Sequence, residues 1–165
     1  MMYVTTYQSP IGLLTIASDG HSITGLWMEN QRYFGITLTK EAQTADLPVF
    51  TQAKTCLDRY FSGEDINQMP PPLMPRGTPF QKAVWDILRD IPYGHTVTYG
   101  EIASRIAAER EMTCVAPQAV GSAVGKNPIA IFIPCHRVLG AKGQLTGYAG
   151  GLQRKQFLLD LEKRA

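Results

Sequence analysis

The sequence is poor in residues that staple, ligate or anchor. Its 165 residues include three cysteines and three histidines. An odd set of thiols, Cys56, Cys114 and Cys135, argues against a disulfide framework and predicts a reducing, cytoplasmic setting. No apolar run approaches the roughly 20 residues a membrane span needs, so no membrane partner is expected. The opening "MMYVTTYQSP" lacks a basic segment followed by an apolar one, which predicts no signal peptide. Four metal ligands at short spacing are missing too; the N-terminal part offers only Cys56 and His21, and no metal is expected. Charge is modest at 18% of residues, and a net +2 is too small to argue for nucleic acid. Its distribution says more. Residues 1–75 hold four Lys/Arg against seven Asp/Glu, and residues 76–165 hold twelve against seven. A basic C-terminal part could attract a polyanion, although ordinary surface scatter explains it equally well.

The first 40 residues carry three short runs rich in β-branched and aromatic residues, "YVTTY", "LLTIAS" and "SITGLWM", separated by the turn signals "SPIG" and "SDGH". They predict an antiparallel meander. A helix follows, with Asp46 as its cap, Val49, Ala53, Cys56, Leu57, Tyr60 and Phe61 at helical spacing, and Gly63 as its stop. Cys56 therefore reads as core. Four prolines between positions 70 and 75 make a linker, dividing the chain into residues 1–69, a linker at 70–77 and residues 78–165.

Beyond the linker, Thr78 and Gln81 form a capping box around Pro79, and Phe80, Val84, Ile87, Leu88 and Ile91 make a buried stripe. A second capping box, Thr98 to Glu101, opens a helix with Tyr99 in its first turn and Ile102, Ala103 and Ile106 inward. Pro117 opens another, short and lined with Ala, Gly and Ser. Two helices joined by a turn, the second studded with small residues, make a helix-turn-helix pattern; its partner is a DNA groove or simply another helix. "IAIFIP" reads as a buried strand, and "LQRKQFLLDLEKRA" as a helix with Leu152, Phe157, Leu158 and Leu161 inward. No self-complementary apolar stripe is left over, which predicts a monomer.

The chemistry concentrates at "PCHRV". A thiol is inert until it becomes a thiolate, and a neighbouring base or cation activates it. Cys135 is followed by His136 and Arg137, and Pro134 ends any strand, so that a turn could bring thiol and imidazole to one site. A carboxylate is wanted to orient the imidazole; Glu162 and Asp160 are both candidates. The competing reading is a small core cysteine at the end of an apolar run.

"IPCHRV" resembles the signature of the O6-alkylguanine-DNA alkyltransferases, and "GTPFQKAVWDILRDIPYGHTVTYGEIA", "AVGSAVGKNPIAIFIPCHRV", "GYAGG" and "RKQFLLDLE" resemble successive blocks of that family in the right order. The resemblance implies an α+β protein: a ribonuclease-H-like α/β domain, then a mainly helical, winged-helix-like DNA-binding domain. It implies that Cys135 accepts an alkyl group from O6 of guanine in duplex DNA, a reach that could extend to O4 of thymine. His136 would act as base through a water and Glu162 would orient it. Asn127 would brace the turn, Tyr99 would donate a proton to guanine, and Tyr148, Ala149 and Gly150 would form a lid. Gln118, Ala119, Gly121, Ser122, Ala123 and Arg137 would face DNA, with the nucleotide flipped out from the minor groove. The product is a thioether, which water does not readily cleave, so each molecule reacts once. No metal or organic cofactor is required.

This chain departs from the family at Gln118, where an arginine is usual, and in "AAEREMTCVAPQ", which is longer than the family's turn. Two other readings stay open on the residues: a module that senses alkylated DNA with weak repair activity, and a Cys-His hydrolase or redox protein. The absence of a second cysteine beside Cys135 counts against redox work.

Overall fold

A computed structural model describes residues 1–67 and 69–163. Strands β1 (Tyr3–Ser9), β2 (Gly12–Ser18) and β3 (Ile23–Met28) form the expected antiparallel meander. The second turn is an Asx turn: the Asp19 carboxylate accepts from the backbone N–H groups of His21 and Ser22. A short β4 (Gln43–Thr44), too brief to leave a sequence signal, adds parallel to β1 and gives the order β3-β2-β1-β4.

Helix α1 (Pro48–Phe61) buries Val49, Phe50, Ala53, Cys56, Leu57 and Tyr60. Each large apolar side chain removed from water there contributes roughly 1.5–3 kcal/mol. Asp46 stands one residue too early to cap it; Leu47 occupies the cap position and makes no side-chain bond, while Pro48 pre-sets the first turn.

All six residues of β3 are buried, although β2 pairs with only one of its edges. The other edge is covered twice. Leu73 of the linker bridges Ile23, with the Ile23 N–H donating to Pro72 and the Met74 N–H to Ile23. Ile129 bridges Leu26, with the Leu26 N–H donating to Pro128 and the Ala130 N–H to Leu26. The second bridge corrects the reading of "IAIFIP" as a strand. Only Ile129 pairs; Ile131 sits at φ 71°, and the Ile133 N–H turns back to the Ile129 carbonyl at 3.0 Å. An apolar run enclosed on every side looks the same whether extended or coiled.

The rest is helical. α2 (Pro79–Arg89) starts with the full Thr78–Gln81 box, and Trp85, which the periodic stripe omits, is buried with its indole N–H on the Ala123 carbonyl at 2.8 Å. α3 (Tyr99–Glu109) makes only half of its box: the Glu101 N–H donates to Thr98, and no return bond forms among the described residues. Residues 110–116 join α3 to α4 (Pro117–Gly125). Strands β5 (Val97–Thr98) and β6 (Val138–Leu139) pair in parallel, bringing the start of α3 beside the Cys135–Arg137 segment. α5 (Leu152–Lys163) closes the chain. Its buried face is Lys155, Leu158, Leu159, Leu161 and Glu162, whereas Leu152 and Phe157, expected inward, are 46% and 39% exposed. Among the described residues no helix is long and apolar enough to cross a membrane.

Candidate active site

Pro134 ends the coiled apolar segment, and Cys135, His136 and Arg137 form a single 3₁₀ turn that runs straight into β6. A tight turn projects neighbouring side chains differently from a strand, where they alternate between faces. Asn127 fixes the approach. Its amide donates to the Ile133 carbonyl at 2.8 Å, and its carbonyl accepts the Ile129 N–H at 3.0 Å, both inside the core. Asn127→Ala leaves the buried Ile129 N–H unpaired, at about 1–3 kcal/mol, while the Ile133 carbonyl keeps the Cys135 N–H as a donor. Urea unfolding should show that loss as a lower midpoint.

Cys135 is buried, yet it lines a cavity of ≈ 490 Å³ that opens to the surface. Tyr99, Tyr148 and Ala149 share the wall, as do Gly121 and Ser122 of α4. Gly150 is not part of the lining; a Cβ there would meet the Met28 sulfur at 2.6 Å, so only glycine lets this segment pack onto β3. Burial pushes the Cys135 thiol up, against the lowering effects of Asn127, Tyr148 and the Lys155 ammonium. The resting sulfur is therefore a thiol, contrary to the expectation that adjacent cations ionise it. Burial also raises Tyr99, and a charge on Cys135 raises it further. The Tyr148 hydroxyl is enclosed beside the sulfur without a well-formed hydrogen bond.

His136, the next residue, is completely buried. Its Nε2 contacts the Glu162 carboxylate, which also accepts from the Tyr60 hydroxyl at 2.6 Å and the Arg137 Nε at 2.7 Å. Burial pushes Glu162 up, but its bonds to His136 and Arg137 outweigh this and hold it at about 2. Burial lowers His136, against the pull of Glu162. At neutral pH an ionised carboxylate thus faces a neutral imidazole. A carboxylate only accepts, so Nε2 must carry the proton and Nδ1 is left as a bare acceptor. Nδ1 is buried and has no hydrogen-bond partner among the described residues. The group can take a proton.

Glu162 rather than Asp160 is the orienting carboxylate; Asp160 instead accepts from Gln156. Arg137 is not a surface cation. Its side chain is 2% exposed and spans Glu162 and the Ile91 carbonyl, which corrects its expected place among the DNA-facing residues. Ala123 is also buried, against α2, because its carbonyl serves Trp85; Gln118, Ala119 and Ser122 form the exposed face of α4. Two contributors escaped the sequence reading. Tyr60 reaches the network from α1, 102 residues from Glu162. Lys155, wholly buried, donates to the carbonyls of Val138, Thr146 and Gly147 and so ties the segment before Tyr148 to β6; burial brings it down to about 8. Its signal was present: Lys155 and Glu162 are seven apart, on the face that carries Leu158 and Leu159.

Fold and site together define a class: a small α+β protein that sets one buried cysteine, followed by a carboxylate-bonded histidine, in a cleft beside a helix-turn-helix. Residues 2–71 match the ribonuclease-like domain of 6-O-methylguanine DNA methyltransferase, and residues 79–164 match its DNA-binding domain. The chain belongs to the O6-methylguanine DNA methyltransferase family. It is 48% identical to the methylated-DNA–protein-cysteine methyltransferase of Haemophilus influenzae, over 98% of this chain and 87% of that protein. It is 43% identical to the enzyme of the same name from Methanosarcina acetivorans, over 98% of both. Among solved structures it is similar to Mycobacterium tuberculosis OGT in complex with DNA, with TM-score 0.85 and 46% identity over 98% of this chain and 93% of that one.

Proposed function

We propose that this chain repairs duplex DNA by moving an alkyl group from O6 of guanine to the Cys135 sulfur, once per molecule. The observation that carries the reading is the unpartnered Nδ1 of a neutral His136, next in the chain to a cysteine that lines an open cavity. His136 takes the thiol proton, directly or through a water. The sulfur attacks the saturated carbon, the carbon–O6 bond breaks with its electron pair going to guanine, and Tyr99 supplies a proton to the departing base. The net change is one proton moved from thiol to guanine and one new thioether. A raised thiol suits this order, because the anion forms only when base and substrate are both present.

A base stacked in a duplex cannot reach a thiol in a cavity wall, so the nucleotide is flipped out. The exposed Gln118, Ala119 and Ser122, with Gly121 lining the cavity, let the α4 backbone approach the minor groove. Residues 1–69 and 78–165 serve as the two working units, and the three free thiols suit a reducing cytosol. A module that only senses alkylated DNA is not favoured, since Cys135 supplies a nucleophile and His136 a base. The test is a count of O6-methylguanines converted to guanine within the duplex: the yield stops at one equivalent per protein, and continued turnover would reject the mechanism.

Gln118 is exposed at the start of α4 and brings no charge. Gln118→Arg adds a cation on the exposed face. It should tighten duplex binding and steepen the salt dependence by about 0.9 in log–log slope. A titration at several salt concentrations checks this, and unchanged slopes would show that position 118 lies outside the DNA footprint.

A further inference from the structure

The exposed face of α4, from Pro117 to Gly125, carries no charged residue. A surface that meets DNA through such a helix must find its counter-charges for phosphate at the flanks. One flank holds an unexplained arrangement. The Lys126 ammonium, just past the end of α4, sits 5.7 Å from the centre of the Tyr33 ring, and the Arg32 guanidinium sits 5.0 Å from the same ring. Neither cation has a carboxylate within ion-pair distance among the described residues. Arg32 and Tyr33 both line the cavity that contains Cys135, although they come from the loop after β3, about a hundred residues away in sequence.

The loop is built to hold this position. The Arg32 N–H donates to the Ala149 carbonyl of the lid at 2.8 Å. Gln31 bonds the backbone on both sides, accepting from Met28 and donating to the Arg32 carbonyl. Tyr33 is kept at φ 61°, a conformation that a bulky residue adopts only when its surroundings impose it. The backbone of Arg32 is thus fixed while its guanidinium remains exposed. Two cations without carboxylate partners on one aromatic ring put two positive charges at the cavity mouth, and an anion bound there would balance them. A guanidinium offers a planar fork to phosphate oxygens, and an ammonium offers a point charge.

We propose that Arg32 and Lys126 clamp a backbone phosphate of the lesion-carrying strand at the cavity rim, so that the N-terminal domain takes part in binding DNA. This rests on the repair reading above and adds to it a phosphodiester site shared between the two domains.

The test uses the full chain with Cys135→Ser, so that duplex bearing one O6-methylguanine binds without reacting. Arg32→Ala and Lys126→Ala should each reduce the slope of log affinity against log salt by about 0.9, and the pair by about twice that. Arg32→Lys, which keeps the charge, should retain the slope, and so should Arg59→Ala on α1, outside both cavity and cluster. With Cys135 restored, Arg32→Ala should slow alkyl transfer from duplex more than transfer from the free base O6-methylguanine, which carries no phosphate. Unchanged slopes in the alanine variants would overturn the clamp. So would an equal loss with free base and duplex, which would make Arg32 part of the pocket wall. An unaltered chain that takes no methyl group from duplex would overturn the repair reading together with the clamp.

Discussion

The Cys135→Ser protein gains no methyl group from a duplex containing O6-methylguanine, while the unaltered chain gains one and stops. Intact-mass measurement after mixing reads both outcomes, and peptide mapping places the added methyl on Cys135. The expected loss of rate is on the order of 10⁴-fold or more, the scale seen when a nucleophile is removed from a site whose other parts remain. Serine is close to cysteine in size and enters the same 3₁₀ turn, so fold and duplex binding are retained. A hydroxyl is a far weaker nucleophile than a thiol, and a single imidazole does not activate it enough to attack a saturated carbon. A methylated Cys135→Ser protein would move the acceptor to another thiol. Cys114, exposed in the loop between α3 and α4, and Cys56, enclosed under α1, are the remaining choices.

Legibility in the sequence followed the range of each interaction. Local signals read well. The meander, the Thr78 box and the Pro117 helix start depend on residues within four or five positions of one another, and all three are present. Cys135, His136 and Glu162 were legible because a motif and a chemical demand converge on them. Interactions formed only after folding were not. Nothing near Tyr60 announces a bond to Glu162, and nothing near Arg32 announces the mouth of a cavity built from the other half of the chain. Arg137 misled for the same reason. An arginine in a loop reads as a surface cation until the fold closes a carboxylate over it. The direction of the Cys135 shift failed on a balance: neighbouring cations and donors do lower it, but burial is the larger effect, and the sequence does not state burial.

Glu162→Gln is the substitution with the largest combined effect on stability and chemistry. The carboxylate bonds His136, Arg137 and Tyr60 in the core. An amide in its place leaves the buried Arg137 guanidinium without a counter-charge, a situation that costs about 3–5 kcal/mol. A glutamine can also turn its NH₂ toward His136. Nε2 would then become the acceptor, and the proton would move to Nδ1, the edge the mechanism needs bare. Alkyl transfer should slow by about 10²–10⁴-fold, the usual worth of a positioned base. A purely structural role would lower the unfolding midpoint and leave the rate per folded molecule intact, so both are measured. The pH dependence separates the two further. Glu162 is held at about 2, below its ordinary 4.5, so the folded protein binds fewer protons than the unfolded chain between those values. Its contribution to stability is complete above 4.5 and is lost as pH falls toward 2. The unaltered protein should lose part of that increment in urea titrations run from pH 5 down to pH 3, and Glu162→Gln should lack the loss. Glu162→Asp, which keeps the charge on a shorter arm, should recover part of the stability and part of the rate. A glutamine variant with normal rate and midpoint would remove Glu162 from the machinery and leave the tautomer of His136 to another cause.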